Sequence, residues 1–436
     1  MEYKEILLKD LASKIGDGLH GTPSYDPKGD FYFVNGNNLE EGNIVIKDTT
    51  KTVNRETFEK YKKDLSKRTL LVSINGTIGK IAKFNNENIV LGKSACYINL
   101  NDTADKNYIY FLLKSREFQN YIQQYATGTT IKNVSLKTIR NFKVKLPALK
   151  YQNRVSTILQ NIENKIQLNY KMIANLEELS QTLFKRWFID FEFPDENGNP
   201  YKSSGRPMTD SELGKIPIDW KVSKIIELDA IVSDHVANGS FKTLKENVEF
   251  VNADIKNNAI FVRNIDLKKQ DFRPEKYVSN DTYKFLKKTQ LHGHELIISN
   301  VGDVGSIHLC PKVDKNMVLG NNQIFLKHNI DKKWNYYLYL YFKSDVGKQL
   351  INKITSGSVQ MKFNKTDFRN LQIVIPTQKI LDSKFENIIG FLNLIEEKKC
   401  ENKRLIELRD TLLPKLMSGE IEIPDDIEVN SDELSI

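Results

Sequence analysis

The sequence has too few cysteines for a disulfide framework and no apolar run long enough for a membrane span. Its three cysteines, Cys96, Cys310 and Cys400, are odd in number and far apart, which also excludes a close-spaced zinc site. A membrane-spanning helix needs roughly 20 apolar residues, and the start of the chain lacks the apolar region of a signal peptide. We therefore predict a cytoplasmic protein without membrane contact.

The sequence is also poor in patterns that carry catalysis. Its six histidines show no metal-ligand spacing. The Gly-spaced turns at 76–79 and 302–305 lack the Gly-Lys-Ser/Thr of a phosphate-binding loop, and strand-to-strand turns explain them better. A nuclease-like match at 194–195 and 219–221 brackets a connector rich in Gly and Pro, so chance is the better explanation. We predict no catalytic residue and no metal site in this chain.

Basic residues are in excess, and the excess is concentrated before residue 420. The whole chain has a net charge of +8, from 64 Lys and Arg against 56 Asp and Glu. Residues 420–436 contain seven acidic residues and no basic one, so the remainder has 64 basic against 49 acidic residues, a balance of +15. This excess favours a polyanionic partner such as nucleic acid, although a charge total alone is weak evidence.

Two long helices are predicted from a coiled-coil pattern. Apolar residues recur in alternating steps of four and three from Tyr151 to Phe188, and the same pattern returns 229 residues later. The first helix would be roughly 57 Å long. Its apolar stripe needs a partner, and the matching register favours pairing of the two helices over packing of each on its own domain. The predicted seam comprises Leu159, Ile162, Ile166, Asn169, Ile173, Leu176, Leu183, Ile388, Phe391, Ile395, Asn402, Leu405, Leu412 and Leu416.

The rest of the chain contains two copies of one plan. The matched landmarks are 73–79 with 299–305, 90–92 with 318–320, and 127–129 with 356–358, at an offset that drifts only from 226 to 229. Between these landmarks the apolar frame is kept and the polar residues change. Two modules that read different targets would show this pattern, and so would divergence without a selected function.

Each copy is predicted to have a mixed α/β (α+β) fold. Strand candidates lie at 31–35, 70–74, 78–84, 95–99 and 142–146, and helix candidates at 55–62 and 106–125. The predicted boundaries are 1–150 for the first module, 151–188 for the first long helix, 189–219 for a linker, 220–379 for the second module, 380–419 for the second long helix and 420–436 for an acidic tail.

Taken in order, these features resemble the specificity subunits of type I DNA restriction-modification systems. The order of module, long helix, module and long helix is similar to that family, as are the segments 15–23, 127–129, 211–217 and 234–241. The usual Pro-Pro-x-x-Glu-Gln before each helix is reduced here to 147–152 and 376–378, which affects only where each helix begins.

The resemblance implies two target-recognition domains on an antiparallel pair of helices that dock two methyltransferase subunits. The chain would bind double-stranded DNA at a bipartite, asymmetric site and direct adenine methylation and ATP-dependent cleavage by its partners. S-adenosylmethionine would bind the methyltransferase subunits, while ATP and Mg²⁺ would belong to the restriction subunits of the full complex. Two alternatives stay open: a stand-alone DNA methyltransferase or nuclease, and a coiled-coil scaffold without a nucleic-acid role.

Polar residues in glycine-containing loops are the predicted DNA contacts, although turn formation alone also favours such residues. Arg263 and Gln323 are predicted base readers because each can make a bidentate contact, to guanine and adenine respectively. Lys132 and Lys362 are predicted phosphate contacts. The full predicted set is His20, Thr22, Asn35, Asn37, Asn75, Thr129, Thr130, Lys132, His235, Asn238, Ser240, Lys242, Arg263, Asn264, Asn300, Asn322, Gln323, Ser358, Gln360 and Lys362.

Overall fold

The structure is a computed structural model that describes residues 3–269, 272–329 and 331–424. It divides into two compact units, Met1–Gln167 with Arg404–Ile436, and Leu168–Lys403. Each unit therefore contains one globular module together with a segment of each long helix. Most of the predicted acidic tail, residues 425–436, lies outside the described residues.

The first module is built on two sheets and two short strand pairs. An antiparallel sheet has the strand order Ala12–Asp17, Ala95–Leu100, Thr69–Ser73 and Ile81–Lys83. A second sheet has the order Thr52–Val53, Phe31–Val34 and Ile89–Leu91, with the last two parallel. Strand Lys4–Leu7 pairs antiparallel with Lys143–Leu146, and Leu39–Glu40 pairs with Asn43–Ile44.

Strand Thr69–Ser73 shows why this module is stable. All five of its residues are buried, and they alternate between two hydrophobic cores. Leu70 and Val72 belong to one core, whereas Leu71 belongs to the other. Successive strand side chains point to opposite faces, so a continuous apolar run is expected of a strand that is covered on both sides.

The helices of the first module correct one prediction. The sequence predicts a single helix at 106–125, but two helices occur there, on either side of Ser115. The Ser115 hydroxyl accepts a hydrogen bond from the Phe118 N–H at 3.4 Å and caps the second helix, as serine commonly does. The module's helices are Arg55–Tyr61, Lys106–Lys114, Arg116–Gln124 and Leu136–Arg140.

The second module repeats the two-sheet core of the first and adds one strand at each edge of the mixed sheet, which confirms the predicted internal repeat. Its antiparallel sheet has the order Ala230–Asp234, Gln323–His328, Leu296–Ser299 and Ile307–Leu309. Its mixed sheet has the order Phe250–Val251, Tyr277–Val278, Ala259–Val262, Met317–Leu319 and Gln290–Leu291. Strand Lys221–Lys224 pairs with Gln372–Ile375. The helices are Phe241–Asn247, Asn264–Leu267, Asn280–Phe285, Lys332–Lys343, Asp345–Ile354 and Lys365–Arg369.

The connector between the modules is folded. After the π-helical turn Lys185–Ile189, the chain reaches a hairpin of Met208–Ser211 and Gly214–Pro217. The rings of Phe193 and Trp220 stack at 5.5 Å, and both side chains are buried in the core of the second unit. Aromatic residues at the two ends thus fasten a segment rich in Gly and Pro.

The long helices span Leu149–Phe184 and Glu386–Ser418, and a shorter helix, Gln378–Lys384, precedes the second. In the first unit, the Tyr151 hydroxyl donates to the Leu416 carbonyl oxygen at 3.3 Å. In the second unit, the Asn169 amide donates to Asn402 Oδ1 at 2.9 Å. Within the described residues, no helix is both long and apolar enough to cross a membrane.

Each unit shows that the helices run antiparallel, as predicted. Glu163 lies twelve residues after Tyr151 and contacts Arg409, which precedes Leu416. In the second unit, Glu177 follows Asn169 and pairs with Lys399 at 3.2 Å. In both units, a later residue on the first long helix contacts an earlier residue on the second, which is the pattern of antiparallel helices.

Most of the predicted seam is buried, but the buried stripe is wider than a coiled-coil seam. The buried members are Leu159, Ile166, Asn169, Ile173, Ile388, Ile395, Asn402 and Leu416, and the half-buried members are Ile162, Leu176, Leu183, Phe391, Leu405 and Leu412. Leu392 and Leu413, each one residue past a predicted position, are also buried in the module cores. A helix that packs on both a helix and a module needs this broader apolar face.

Candidate nucleic-acid interface

Five loops of the first module meet where the ends of its strands come together. Leu19 forms a β-bridge with Gly92. The Ser94 hydroxyl donates to Asn35 Oδ1 at 2.8 Å, and the Ile74 N–H donates to the Ser94 carbonyl oxygen at 2.9 Å. We call this surface the first loop cluster, and it comprises 17–22, 35–38, 74–79, 92–94 and 127–133.

The second module gathers the corresponding loops in the same way. His235 Nδ1 lies 3.3 Å from the Leu319 carbonyl oxygen. The Asn300 N–H donates to the Asn322 carbonyl oxygen at 3.0 Å. We call this surface the second loop cluster, and it comprises 235–242, 263–267, 300–305, 320–322 and 356–362.

Nineteen of the twenty predicted contact residues lie in these two clusters, and Gln323 is the first residue of the strand that follows 320–322, but the twenty differ in exposure. The exposed ones are His20, Thr22, Asn37, Thr129, Thr130, Lys132, Ser240, Lys242, Asn322, Ser358, Gln360 and Lys362. Asn35, Asn75, Asn238, Arg263, Asn264 and Asn300 are half-buried, and His235 and Gln323 are buried. Contact of these residues with DNA stays a prediction.

Arg263 is held by carboxylates inside its own module. Its guanidinium donates to Asp266 at 2.7 and 2.9 Å and to Glu275 at 3.2 Å. Asp266 is fully buried, and its carboxylate also accepts the Arg263 N–H at 3.1 Å. The hydrogen bond with Asp266 raises the pKa of Arg263. Reading guanine would require Arg263 to abandon a buried carboxylate, which is costly.

The side chains of Gln323 and His235 are buried inside the second module. Gln323 is 1% exposed, and its amide donates to the Val262 carbonyl oxygen at 2.8 Å. Burial lowers the pKa of His235, so its ring is neutral near neutral pH. In this structure Gln323 is not available to a base, and His235 does not provide a cation for phosphate.

The glycine hairpins occupy equivalent places in the two clusters. Gly128 and Gly357 have φ values of +90° and +110°, and a Cβ on either would lie within 2.4 Å of a backbone carbonyl oxygen. Only glycine fits such a position. The β-bridges of the hairpins join Thr127 with Asn133 and Ser356 with Lys362.

The two predicted phosphate contacts therefore differ in position. When the two hairpins are aligned by their β-bridges, Lys362 of the second hairpin corresponds to Asn133 of the first. Lys132 of the first hairpin corresponds to Met361 of the second. Lys132 also donates to Gln123 Oε1 at 2.6 Å.

Two residues that close the turn after the parallel strands are not among the predicted site residues. Asn38 Oδ1 accepts the Asn35 N–H at 3.0 Å, and Asp266 does the same for Arg263. Both are buried, and each lies four residues after its strand ends. This shared position in the repeat was the signal that could have identified them.

The nuclease-like match is a turn. The Asp195 carboxylate accepts from Arg206 at 2.6 Å and from the N–H groups of Asn197 and Asn199 at 2.9 Å. The bond from Arg206 is the main reason why the pKa of Asp195 falls to about 2. Across residues 3–269, 272–329 and 331–424, His, Cys, Asp and Glu side chains form no group of three or more that could hold a metal ion.

Comparison with known proteins agrees with this architecture. Residues 2–178 and 217–404 match the profile of the type I restriction modification DNA specificity domain. The type I restriction enzyme HindI specificity subunit of Haemophilus influenzae is 23% identical over 347 residues, 67% of this chain and 72% of that protein. The MjaVIII specificity subunit of Methanocaldococcus jannaschii is 27% identical over 318 residues, 69% of this chain and 67% of that protein.

A solved structure shares the fold. The crystal structure of the type I restriction-modification S subunit from M. genitalium covers 98% of this chain and 97% of that chain, with a TM-score of 0.55 and 16% identity. The profile matches well over half of the sequence in two segments, and each segment contains one of the repeated modules. The chain therefore belongs to the type I restriction modification DNA specificity family.

Proposed function

We propose that this chain is the DNA-reading subunit of a type I restriction-modification complex and that it recognises a bipartite, asymmetric site. The observation that carries this proposal is one topology built twice with different side chains on its two loop clusters. Contacts to the DNA backbone position a protein, whereas side chains at base edges specify sequence. One scaffold with two sets of loop residues suits two different half-sites.

The long helices support docking of two copies of the same partner, a methyltransferase subunit. Residues 176–183 and 405–412 are identical at five of eight positions. Leu179 and Leu408 are equivalent in this match, and each side chain is 46% exposed. Two equivalent exposed leucines, one in each unit, suit two equivalent interfaces. In this proposal the methyl donor binds the methyltransferase subunits, and ATP and Mg²⁺ belong to the restriction subunits.

The purified chain, incubated alone with S-adenosylmethionine and DNA, should transfer no methyl groups, and its affinity for DNA should fall steeply with salt. Between 50 and 200 mM salt, six to ten phosphate contacts would reduce affinity by about 10³- to 10⁵-fold. Filter binding across a salt series and a tritiated methyl-transfer assay measure the two quantities. Methyl transfer by the chain alone would favour a self-sufficient methyltransferase, and salt-independent binding would favour a scaffold without a nucleic-acid role.

Replacing Leu179 and Leu408 together with aspartate should abolish binding of methyltransferase subunits, and either single change should reduce the number bound from two to one. Both side chains are largely exposed, so folding should persist. Native mass spectrometry counts the bound subunits. Leu213, which is 39% exposed in the connector hairpin, provides the matched control through Leu213→Asp. Full occupancy in the double variant would show that these leucines are not docking residues.

A further inference from the structure

Within the second loop cluster, the loop 235–242 carries two apolar side chains that contribute little to folding. Val236 is 65% exposed and Phe241 is 85% exposed. We call these two residues the apolar platform. A largely exposed phenylalanine buries little area, so its presence points to a surface that a partner covers.

The backbone beneath the apolar platform is firmly held. The Asn238 amide donates to the His235 carbonyl oxygen at 3.2 Å and to Thr289 Oγ1 at 2.8 Å. Its Oδ1 accepts the Lys288 N–H at 3.0 Å. Ser240 accepts the Thr243 N–H at 3.2 Å and caps the helix that begins at Phe241. The Phe241 ring is therefore presented from a fixed backbone.

Three exposed lysines lie on the apolar platform's own helix or on the turn that contacts its loop. Lys242 follows Phe241 directly, and Lys287 and Lys288 lie on the neighbouring turn, with all three exposed. Lys288 Nζ donates to the Ala237 carbonyl oxygen at 3.0 Å, which fixes it beside the platform. Exposed apolar groups with lysines on the same and the adjoining turn match a partner that offers flat apolar surfaces between phosphates, which is the chemistry of DNA.

The first module has no such platform at the equivalent loop. Leu19 is only partly exposed and bridges to Gly92. His20 Nε2 forms a hydrogen bond with Asp17 Oδ2 at 2.7 Å. The second module thus differs from the first in chemical character at this loop, as well as in sequence.

We propose that Phe241 inserts its ring against a base step of the half-site read by the second module, with Val236 beside it and Lys242, Lys287 and Lys288 on the flanking phosphates. This inference rests on the proposed function. Apolar side chains can wedge into base steps and partly unstack them. Pyrimidine–purine steps unstack most readily, so the half-site read by the second module should contain one.

The test uses the full chain with its methyltransferase subunits and a duplex that carries its site, mapped by sequencing modified adenines. Adenines of the two half-sites that are not themselves methylated are replaced one at a time by 2-aminopurine, whose fluorescence rises when it unstacks. The methylated adenines are left unchanged because methyltransferases flip their target base out of the stack. The rise should occur on binding in one half-site only and should be lost in Phe241→Ala. The dissociation constant of Phe241→Ala should rise about five- to a hundredfold, and Phe241→Trp should restore both signals.

Ile226→Ala is the matched control, because Ile226 is 59% exposed in the same module but lies outside the loop cluster. It should behave like the unaltered chain, and melting temperatures should agree among all variants. Wild-type affinity and an unchanged fluorescence rise in Phe241→Ala would overturn the inference and leave the proposed function intact. Loss of methyltransferase subunits by Phe241→Ala would instead identify a protein contact. Failure of the unaltered complex to bind its site would contradict both the proposed function and the insertion of Phe241.

Discussion

Replacing Glu163 with alanine should lower the free energy of unfolding of the first unit by about 3 to 5 kcal/mol. The Glu163 side chain is 7% exposed and accepts from Lys114 at 3.2 Å and from Arg409 at 3.1 Å. The Lys114 and Arg409 side chains are 23% and 15% exposed. Removal of the Glu163 carboxylate would leave Arg409 with only the half-exposed Asp410 and Lys114 with only the exposed Glu41 at 3.9 Å, so two poorly hydrated cations would lose their one buried counter-charge.

Urea unfolding, followed by hydrogen exchange of the first unit, measures this loss. Glu407→Ala is the matched control, because Glu407 is an exposed glutamate on the second long helix within the same unit and should change stability by less than about 0.5 kcal/mol. Changing Glu163, Lys114 and Arg409 together to methionine should recover much of the loss, because no buried charge then lacks a partner. Equal effects of Glu163→Ala and Glu407→Ala would show that the buried Glu163 carboxylate does not stabilise the unit.

Seven residues inserted into each long helix should widen the gap between the two half-sites by about three base pairs and leave both half-sites unchanged. Insertion after Gln167 and after Lys403 places the additions beside the Asn169 and Asn402 pair, where the chain passes between the two units. Seven residues add roughly 10 Å and keep the heptad register. One turn of DNA spans roughly 34 to 36 Å, which gives the figure of about three base pairs.

Sequencing of modified adenines in cells carrying the altered system measures the gap. A four-residue insertion at the same places is the control, because it breaks the heptad register and should disrupt pairing of the helices. An unchanged gap in a folded, active seven-residue variant would show that the helices do not set the spacing between half-sites.

The parts of the fold that depend on periodic burial could be predicted from the sequence. The long helices, the strand at 69–73 and the internal repeat all follow from apolar spacing, which a single chain displays directly. The break at Ser115 was less visible, because apolar residues continue at helical spacing on both sides of it. The burial of Glu163 was also not predicted, because a glutamate between seam positions is usually exposed. Its partners, Lys114 and Arg409, come from distant segments of the chain.

For the candidate contact residues, the sequence predicts which side chains have suitable chemistry but not which of them the fold leaves available. Arg263 and Gln323 have side chains suited to bases, but their availability depends on Asp266 and on the Val262 carbonyl oxygen, which only the fold brings close. The apolar platform was missed for a related reason. Phe241 and Val236 look like core residues in a sequence, and only the structure shows that they face solvent.

The polar pairs along the long helices also favour pairing of the first long helix with the second over pairing of the first long helix with a second copy of itself. The 229-residue offset aligns the two long helices. It matches Glu163 with Leu392 and Ser180 with Arg409. It also matches Asn169 with Lys398 and Ile173 with Asn402. If the first half of the chain paired with a second copy of itself, Ser180 would take the place of Arg409 and leave the Glu163 carboxylate with Lys114 alone. Asn169 would face Ile173 and lose its amide partner. Self-association of the first half is therefore penalised, and the two recognition modules remain an ordered, non-interchangeable pair encoded in one polypeptide.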